Sequence, residues 1–316
     1  MILLYHNLFS ETALSGWEIA ADDYMTTADS FRRDIDALRR DRRVRFTSPH
    51  DFFQRPFEPC PCIDVYITFD DGYHSTRAAL SHLAGFGIPA AVFVNSGVIG
   101  TMDLPWPEKL LCFCHFLGDA ALQVRLGERS WAWSRGDDLA TKIGVFIDLR
   151  DSLKIVDTDI REAFLAEIYR RYDFDIASVS SRDPFYPRLR LLSWDDLRWI
   201  CAQGFDVGGH TRTHVILTQA SRERIRREIF DDRTAIERQL GRRVGLFAVP
   251  NGGPEDFDAR IIDCCREAGY EFILTAFGGI NSRIPDAFVL NRCDVGNATG
   301  KVDMLIDRIA TVATVP

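Results

Sequence analysis

Short apolar and β-branched runs alternate with amphipathic stretches over most of this chain, and that alternation constrains its fold more than any other feature. Residues 2–5, 65–69, 90–94, 205–207, 244–249, 271–275 and 287–290 read as strands. Between them, 28–40, 75–84, 194–202, 222–240 and 257–268 read as helices, the first with Phe31, Ile35 and Leu38 on one face. Ser193 followed by Asp196 is a helix start, and Gly204, Gly241 and Gly269 stand where helices should stop. The run Val65-Tyr66-Ile67-Thr68-Phe69 is almost wholly apolar or β-branched, as a strand covered on both faces should be. Strand, helix, strand in repetition implies a parallel sheet. Seven or eight candidate strands favour a closed, irregular (β/α) barrel of the α/β class over an open sheet.

Residues 104–191 break that rhythm with a Pro105-Trp106-Pro107 opening, a helix over 108–117, a Trp131-Ala132-Trp133 segment and two further helical stretches. They are expected to form a largely helical insertion that caps one end of the barrel, within a single domain spanning 1–316. A hydrophobic fraction of 46% beside 27% charged residues supplies a core of that size. The net charge of −8 opposes a nucleic-acid partner, which rewards a basic face. No apolar stretch nears the roughly 20 residues that cross a bilayer, and the opening Met1-Ile2-Leu3-Leu4-Tyr5-His6 lacks the basic region of a signal peptide. The expectation is a cytoplasmic protein. Its eight cysteines should be reduced, because their spacings suit neither zinc nor a secreted disulfide framework.

The polar candidates gather at the C-terminal ends of the expected strands. His6 follows 2–5, Asp70 and Asp71 follow 65–69, His210 follows 205–207, and Pro250-Asn251-Gly252 follows 244–249. Barrel enzymes carry their chemistry on that face. Thr68-Phe69-Asp70-Asp71-Gly72 puts two carboxylates where a buried strand surfaces. His210-Thr211-Arg212-Thr213-His214 offers two imidazoles four residues apart. One carboxylate and two imidazoles make an open metal site of the hydrolytic type, and the second carboxylate is left to act as base. Taken singly, the aspartates also suit a helix-capping turn and the histidines a polar loop.

These motifs resemble those of the NodB-type polysaccharide deacetylases, carbohydrate esterase family four. The two pentapeptides, the second preceded by Asp206-Val207-Gly208-Gly209, are similar to the first two motifs, and Phe247-Ala248-Val249-Pro250-Asn251-Gly252 to the third. Leu3-Leu4-Tyr5-His6-Asn7, Leu192-Ser193-Trp194-Asp195-Asp196-Leu197 and the strand that follows Ile88 extend the likeness over nearly the whole chain. The resemblance implies an irregular β/α barrel that hydrolyses N-acetyl, sometimes O-acetyl, groups on sugars. By analogy Asp70 is the general base, while Asp71, His210 and His214 bind one divalent metal ion, zinc first, with cobalt, nickel or manganese as substitutes. Pro250 and Asn251 would wall the substrate groove, Asn251 offering its backbone N–H to the oxyanion.

The chain departs from the best-known branch in two places. Ala248 stands where that branch has an arginine that orients the base, and no histidine follows His214 to serve as the late acid. Branches that open with Tyr-His carry a histidine near the N-terminus, so the resemblance makes His6 the general acid, with His74 as its competitor.

Softer signals remain. Trp106, Trp131 and Trp133 could stack on sugar rings, although large aromatics more often anchor a core. Gly296-Asn297-Ala298-Thr299-Gly300, ahead of an expected helix over 301–310, suits either an ordinary turn or the phosphate of a nucleotide- or lipid-linked sugar. The reading is metal-dependent hydrolysis of an N-acyl group, acetyl first, on an amino sugar or surface-glycan precursor. Its rivals are a catalytically silent glycan-binding or scaffolding relative, and a deformylase or amide hydrolase acting on another acylated amine.

Overall fold

The computed structural model describes residues 1–9, 16–17, 26–55, 62–281, 287–296, 301–302 and 304–307. Eight strands make one parallel sheet: β1 (Ile2–Tyr5), β2 (Val44–Phe46), β3 (Ile63–Phe69), β4 (Ala90–Val94), β5 (Asp206–Gly209), β6 (Leu246–Ala248), β7 (Phe272–Gly278) and β8 (Val289–Asp294). Because β1 pairs with both β8 and β3, the sheet closes into a ring, and β2 lies outside it against β3. All the expected strands are present. The additional one, β2, is three residues long and only half buried, too short for a periodic signal.

Alternation sorts the strand residues into two clusters. Tyr66, Ala91, Phe93, Leu246, Leu274 and Leu290 pack with one another, apart from the larger cluster that the opposite strand faces make with the helices. With a period of two, Thr68 and Asp70 follow Tyr66 on its side, and Arg292 follows Leu290. The chemistry therefore begins where the inner apolar layer ends. The ring is narrow at β5. A Cβ on Gly208 would lie 2.4 Å from the Phe93 ring, and one on Gly209 would lie 2.4 Å from the Tyr270 hydroxyl. Only glycines let β5 seat there.

The helices follow their signals. α1 (Ala28–Arg40) is capped by Thr27 and buries Phe31, Ile35 and Leu38. α2 (Thr76–Ala84) follows β3, and after the insertion α6 (Trp194–Ala202) opens with a complete capping box between Ser193 and Asp196. α7 (Arg222–Leu240) and α8 (Ala259–Ala268) end at Gly241 and Gly269, both left-handed with φ of 64° and 89°.

The segment between β4 and β5 carries α3 (Trp106–Leu117), α4 (Leu139–Lys154), α5 (Thr158–Arg171) and two short helices, Ile176–Ser180 and Tyr186–Leu189. It also holds an antiparallel hairpin, Leu122–Leu126 with Arg129–Trp133. Trp131 and Trp133 are buried there, donating to Asp148 at 2.7 Å and to the Ala120 carbonyl at 2.8 Å. The sugar-stacking option is thereby corrected for both, since their rings face the core. Hydrogen bonds of 2.8 Å from His74 N–H to the Arg190 carbonyl and from Leu192 N–H to the Gly72 carbonyl tie the segment to the loop after β3.

Cys112, Cys114, Cys201, Cys264, Cys265 and Cys293 are free thiols. Cys62 is disulfide-bonded, which corrects the expectation that all eight are reduced. It sits just ahead of β3, where no ladder fixes its side-chain direction. The Gly-rich turn at 297–300 and part of the expected 301–310 helix lie outside the described residues. Among the described residues no helix is long and apolar enough to cross a membrane.

Candidate active site

The parallel register of β1 and β3 pairs Tyr5 with Phe69, and Asp70 N–H donates to the Tyr5 carbonyl at 3.0 Å. His6 therefore leaves β1 beside Asp70, close enough to help stabilise the Asp70 anion. Asp71 adopts a left-handed backbone with φ of 66°. That turn sends the second carboxylate away from the first, so adjacent aspartates can hold different posts. Thr211, His214 and Asn251 are also left-handed without being glycine, with φ of 63°, 57° and 57°. Strain of this kind persists only where the surrounding structure over-determines it.

The loop after β5 is held from two sides. His210 N–H donates to the Val94 carbonyl at 3.0 Å, and Asn95 Nδ2 donates to the Thr211 carbonyl at 3.1 Å. From α7, Glu228 accepts the Thr213 N–H and hydroxyl, both at 2.9 Å, and is itself bonded by Arg224 Nε at 2.9 Å. His210 Nδ1 lies 2.8 Å from the Ala248 carbonyl. A carbonyl can only accept, so Nδ1 carries a proton and Nε2 is the ring nitrogen turned towards the neighbouring side chains.

That nitrogen faces Asp71. Asp71 Oδ1 is 3.4 Å from His210 Nε2 and 3.2 Å from His214 Nε2, and all three side chains are buried. Around a tetrahedral ion with ligands at about 2.0–2.1 Å, neighbouring ligand atoms stand ~3.4 Å apart. Oδ1 is buried without a hydrogen-bond partner. Burial would push the Asp71 carboxyl up, but the two imidazoles hold it well below the ordinary range, as an anion. A carboxylate and two imidazole nitrogens converging in this way can hold a cation between them. The residues fit a divalent metal ion.

Asp70 is gripped by a residue that the sequence reading did not single out. Arg292, on β8 and 0% exposed, donates Nη1 to Oδ1 at 2.7 Å and Nη2 to Oδ2 at 2.6 Å. Its Nε donates to the Thr275 carbonyl, and Nη1 reaches the Thr68 hydroxyl at 3.3 Å. Burial would raise Asp70, yet Arg292 and His210 hold its carboxyl below the ordinary range. The arginine expected near Ala248 is thus supplied from another strand, while Ala248 serves through its carbonyl. The available signal was an arginine at an inward position of a core strand.

Pro250 and Asn251 follow β6 on the same rim, Pro250 buried and Asn251 exposed, and among the described residues no hydrogen bond joins them to the triad. His74 lines a cavity of about 390 Å³ with Asn7, Arg188 and Arg190, whose lining includes none of Asp70, Asp71, His210 and His214. Glu108, on α3, was also missed. It accepts from the Tyr73 hydroxyl at 2.7 Å, its Oε2 has no partner, and burial together with the Asp71 charge pushes it up to about 7. No spacing in the sequence relates it to Asp71.

Compared with known families, residues 58–133 and 158–273, more than half of the chain, match polysaccharide deacetylase. The chain belongs to that family. The gap between the two matched segments of this deacetylase, 134–157, lies between β4 and β5 and contains α4, and residues 1–57 and 274–316 also fall outside the match. Solved structures with the same fold include the Streptococcus pyogenes deacetylase PplD in complex with acetate, at TM-score 0.58 and 16% identity, covering 96% of this chain and 95% of that one. IcaB from Ammonifex degensii aligns at TM-score 0.59 and 18% identity, with 98% and 96% covered. A de-N-acetylase from Aggregatibacter actinomycetemcomitans aligns at 0.55 and 13%, with 96% and 98% covered. Among curated proteins there is no match. This deacetylase is accordingly a hydrolase of the carbohydrate deacetylase class.

Proposed function

We propose that this polysaccharide deacetylase removes the N-acetyl group of an amino sugar with the help of one divalent ion, zinc first. The observation that carries the reading is the meeting of Asp71 Oδ1 with His210 Nε2 and His214 Nε2, beside an Asp70 locked by Arg292. A divalent ion held by Asp71, His210 and His214 would polarise the amide carbonyl and acidify water. Asp70, kept ionised by Arg292, takes the proton of the attacking water. The guanidinium fork fixes the plane of the carboxylate, so the free lone pairs of Asp70 keep one direction. His6, beside Asp70, gives a proton to the departing amine. The Asn251 N–H stabilises the oxyanion of the tetrahedral species.

The silent glycan-binding relative, which rests on Ala248 and on the absence of a histidine after His214, loses the first of these supports, because Arg292 grips Asp70 from another strand. The test is metal content together with acetate release. Wild type should hold close to one transition-metal ion per chain, and His210→Ala and Asp71→Ala should lose it under identical purification. Asp70→Asn should keep the ion while kcat on N-acetylated amino sugars falls by about 10²–10⁴. Metal-free wild type after incubation with Zn²⁺ or Co²⁺ would sink the reading, and near-normal turnover by Asp70→Asn would remove the base assignment.

A further inference from the structure

Arg161, on α5, takes no part in the chemistry of the triad. It is 1% exposed, and among the described residues none of its three guanidinium nitrogens has a hydrogen-bond partner. Its guanidinium carbon lies 4.7 Å from the ring centre of Trp106, whose own indole Nε1 is buried without an acceptor. Stacking on an indole holds a guanidinium flat and leaves its in-plane N–H fork open. That fork takes a carboxylate or phosphate with two parallel bonds.

The acids around it are committed elsewhere. Glu228 accepts from Arg224 at 2.9 Å and from Thr213, Glu162 accepts from Arg224 at 2.7 Å, and Asp157 caps α5. Burial pushes Arg161 down to about 10, which leaves it charged at neutral pH. A buried charge is normally paired, and leaving one unpaired is costly. Its place in the fold is informative. Trp106 opens α3 two residues before Glu108, which is bonded to Tyr73 beside the Asp71 loop. Glu228, one of the charges acting on Arg161, holds Thr213 next to His214. Through Trp106 and Glu228, Arg161 is linked to the elements that hold the two metal-ligand loops.

We propose that Arg161 of α5 and the Trp106 indole N–H of α3 form an anion subsite, receiving a carboxylate or phosphate carried by the acylated sugar. The proposal rests on the deacetylase reading and narrows its substrates to acidic or phosphorylated amino sugars.

The test uses the full, metal-loaded chain carrying Asp70→Asn, so that ligands are not turned over. Thermal unfolding is followed with N-acetylglucosamine, with its 1-phosphate and with N-acetylglucosaminuronate. One of the anionic sugars should raise the melting temperature more than the neutral sugar at equal concentration, and which one does so identifies phosphate or carboxylate. Arg161→Met should abolish that difference. Without ligand it should melt no lower than its parent, since an unpaired buried charge is exchanged for an apolar side chain. Equal stabilisation by all three sugars, an Arg161→Met protein that keeps the difference, or one that melts well below its parent would each overturn the subsite.

Acetate release by the chain with Asp70 intact separates the two readings. Arg161→Met should lower kcat/KM about 10- to 100-fold for the anionic sugar alone. An Arg161-dependent shift with no acetate released from any probe would retain the subsite and discard the deacetylase reading. Release from the neutral sugar, unchanged by Arg161→Met and with no shift, would do the reverse.

Discussion

Asp70 and Arg292 are 222 residues apart in the chain and form the tightest ion pair of the site. The pair is buried on both sides, so neither member is easily spared. Losing one partner of such a pair costs about 3–5 kcal/mol, because a charge is left enclosed. Arg292→Met should therefore lower stability and, through a misplaced base, reduce kcat about 10²-fold. It should also move the acidic limb of the pH–rate profile upward. The sign follows from the balance at Asp70: burial raises its carboxyl and Arg292 with His210 lowers it, so removing Arg292 leaves burial to dominate. Arg292→Lys keeps the charge but not the fork and should fall between. A pH profile that stays put in Arg292→Met would refute the role assigned to this arginine. Asp70, Asp71, His210 and His214 were legible because each belongs to a short contiguous motif. Arg292 and Glu108 belong to none, and only packing joins them to the site.

Individual elements supply the constraints that those side chains obey. β5 delivers His210, and its glycines are required by what faces them. The Cβ of Gly208→Ala would meet the Phe93 ring at 2.4 Å and the Leu246 carbonyl at 2.8 Å. Overpacking of this kind costs about 1–3 kcal/mol. The variant should show a lower urea midpoint with an unchanged slope, measured with metal saturating, and an unchanged midpoint would mean that β5 has room to shift. The adjacent strand β6 contributes a backbone atom, the Ala248 carbonyl, which selects the His210 tautomer. A side-chain alphabet cannot report a carbonyl's task, and for that reason Ala248 read as a gap in the sequence. Helix stops at Gly241 and Gly269 were legible because their cause is local, a left-handed residue at the end of a helix.

At the scale of the molecule, the metal site joins segments that the chain keeps far apart. Asp71 follows β3, while His210 and His214 follow β5, and the insertion runs between β4 and β5. A ligand that binds the folded chain at about 100 times its Kd adds ~2.7 kcal/mol of stability. For a chain of this size that corresponds to a melting temperature higher by roughly 4 °C. Chelation of the metal should lower the melting temperature by that amount in wild type and leave His210→Ala unaffected. Equal melting with and without chelator would show that the triad holds no structural ion.

The sequence by itself determined what depends on neighbours in the chain. That includes the strand–helix alternation, the helix caps, the parallel sheet and the two motifs that carry the acids and the histidines. Propensity, capping and turn chemistry act over a few residues, so their record is local. Tertiary structure decided the rest: closure of the ring through β1 between β8 and β3, the carbonyl that fixes His210, and the arginine that locks the base. Each of these is a contact between residues distant along the chain, set by how the whole barrel packs, and no window of sequence contains both partners.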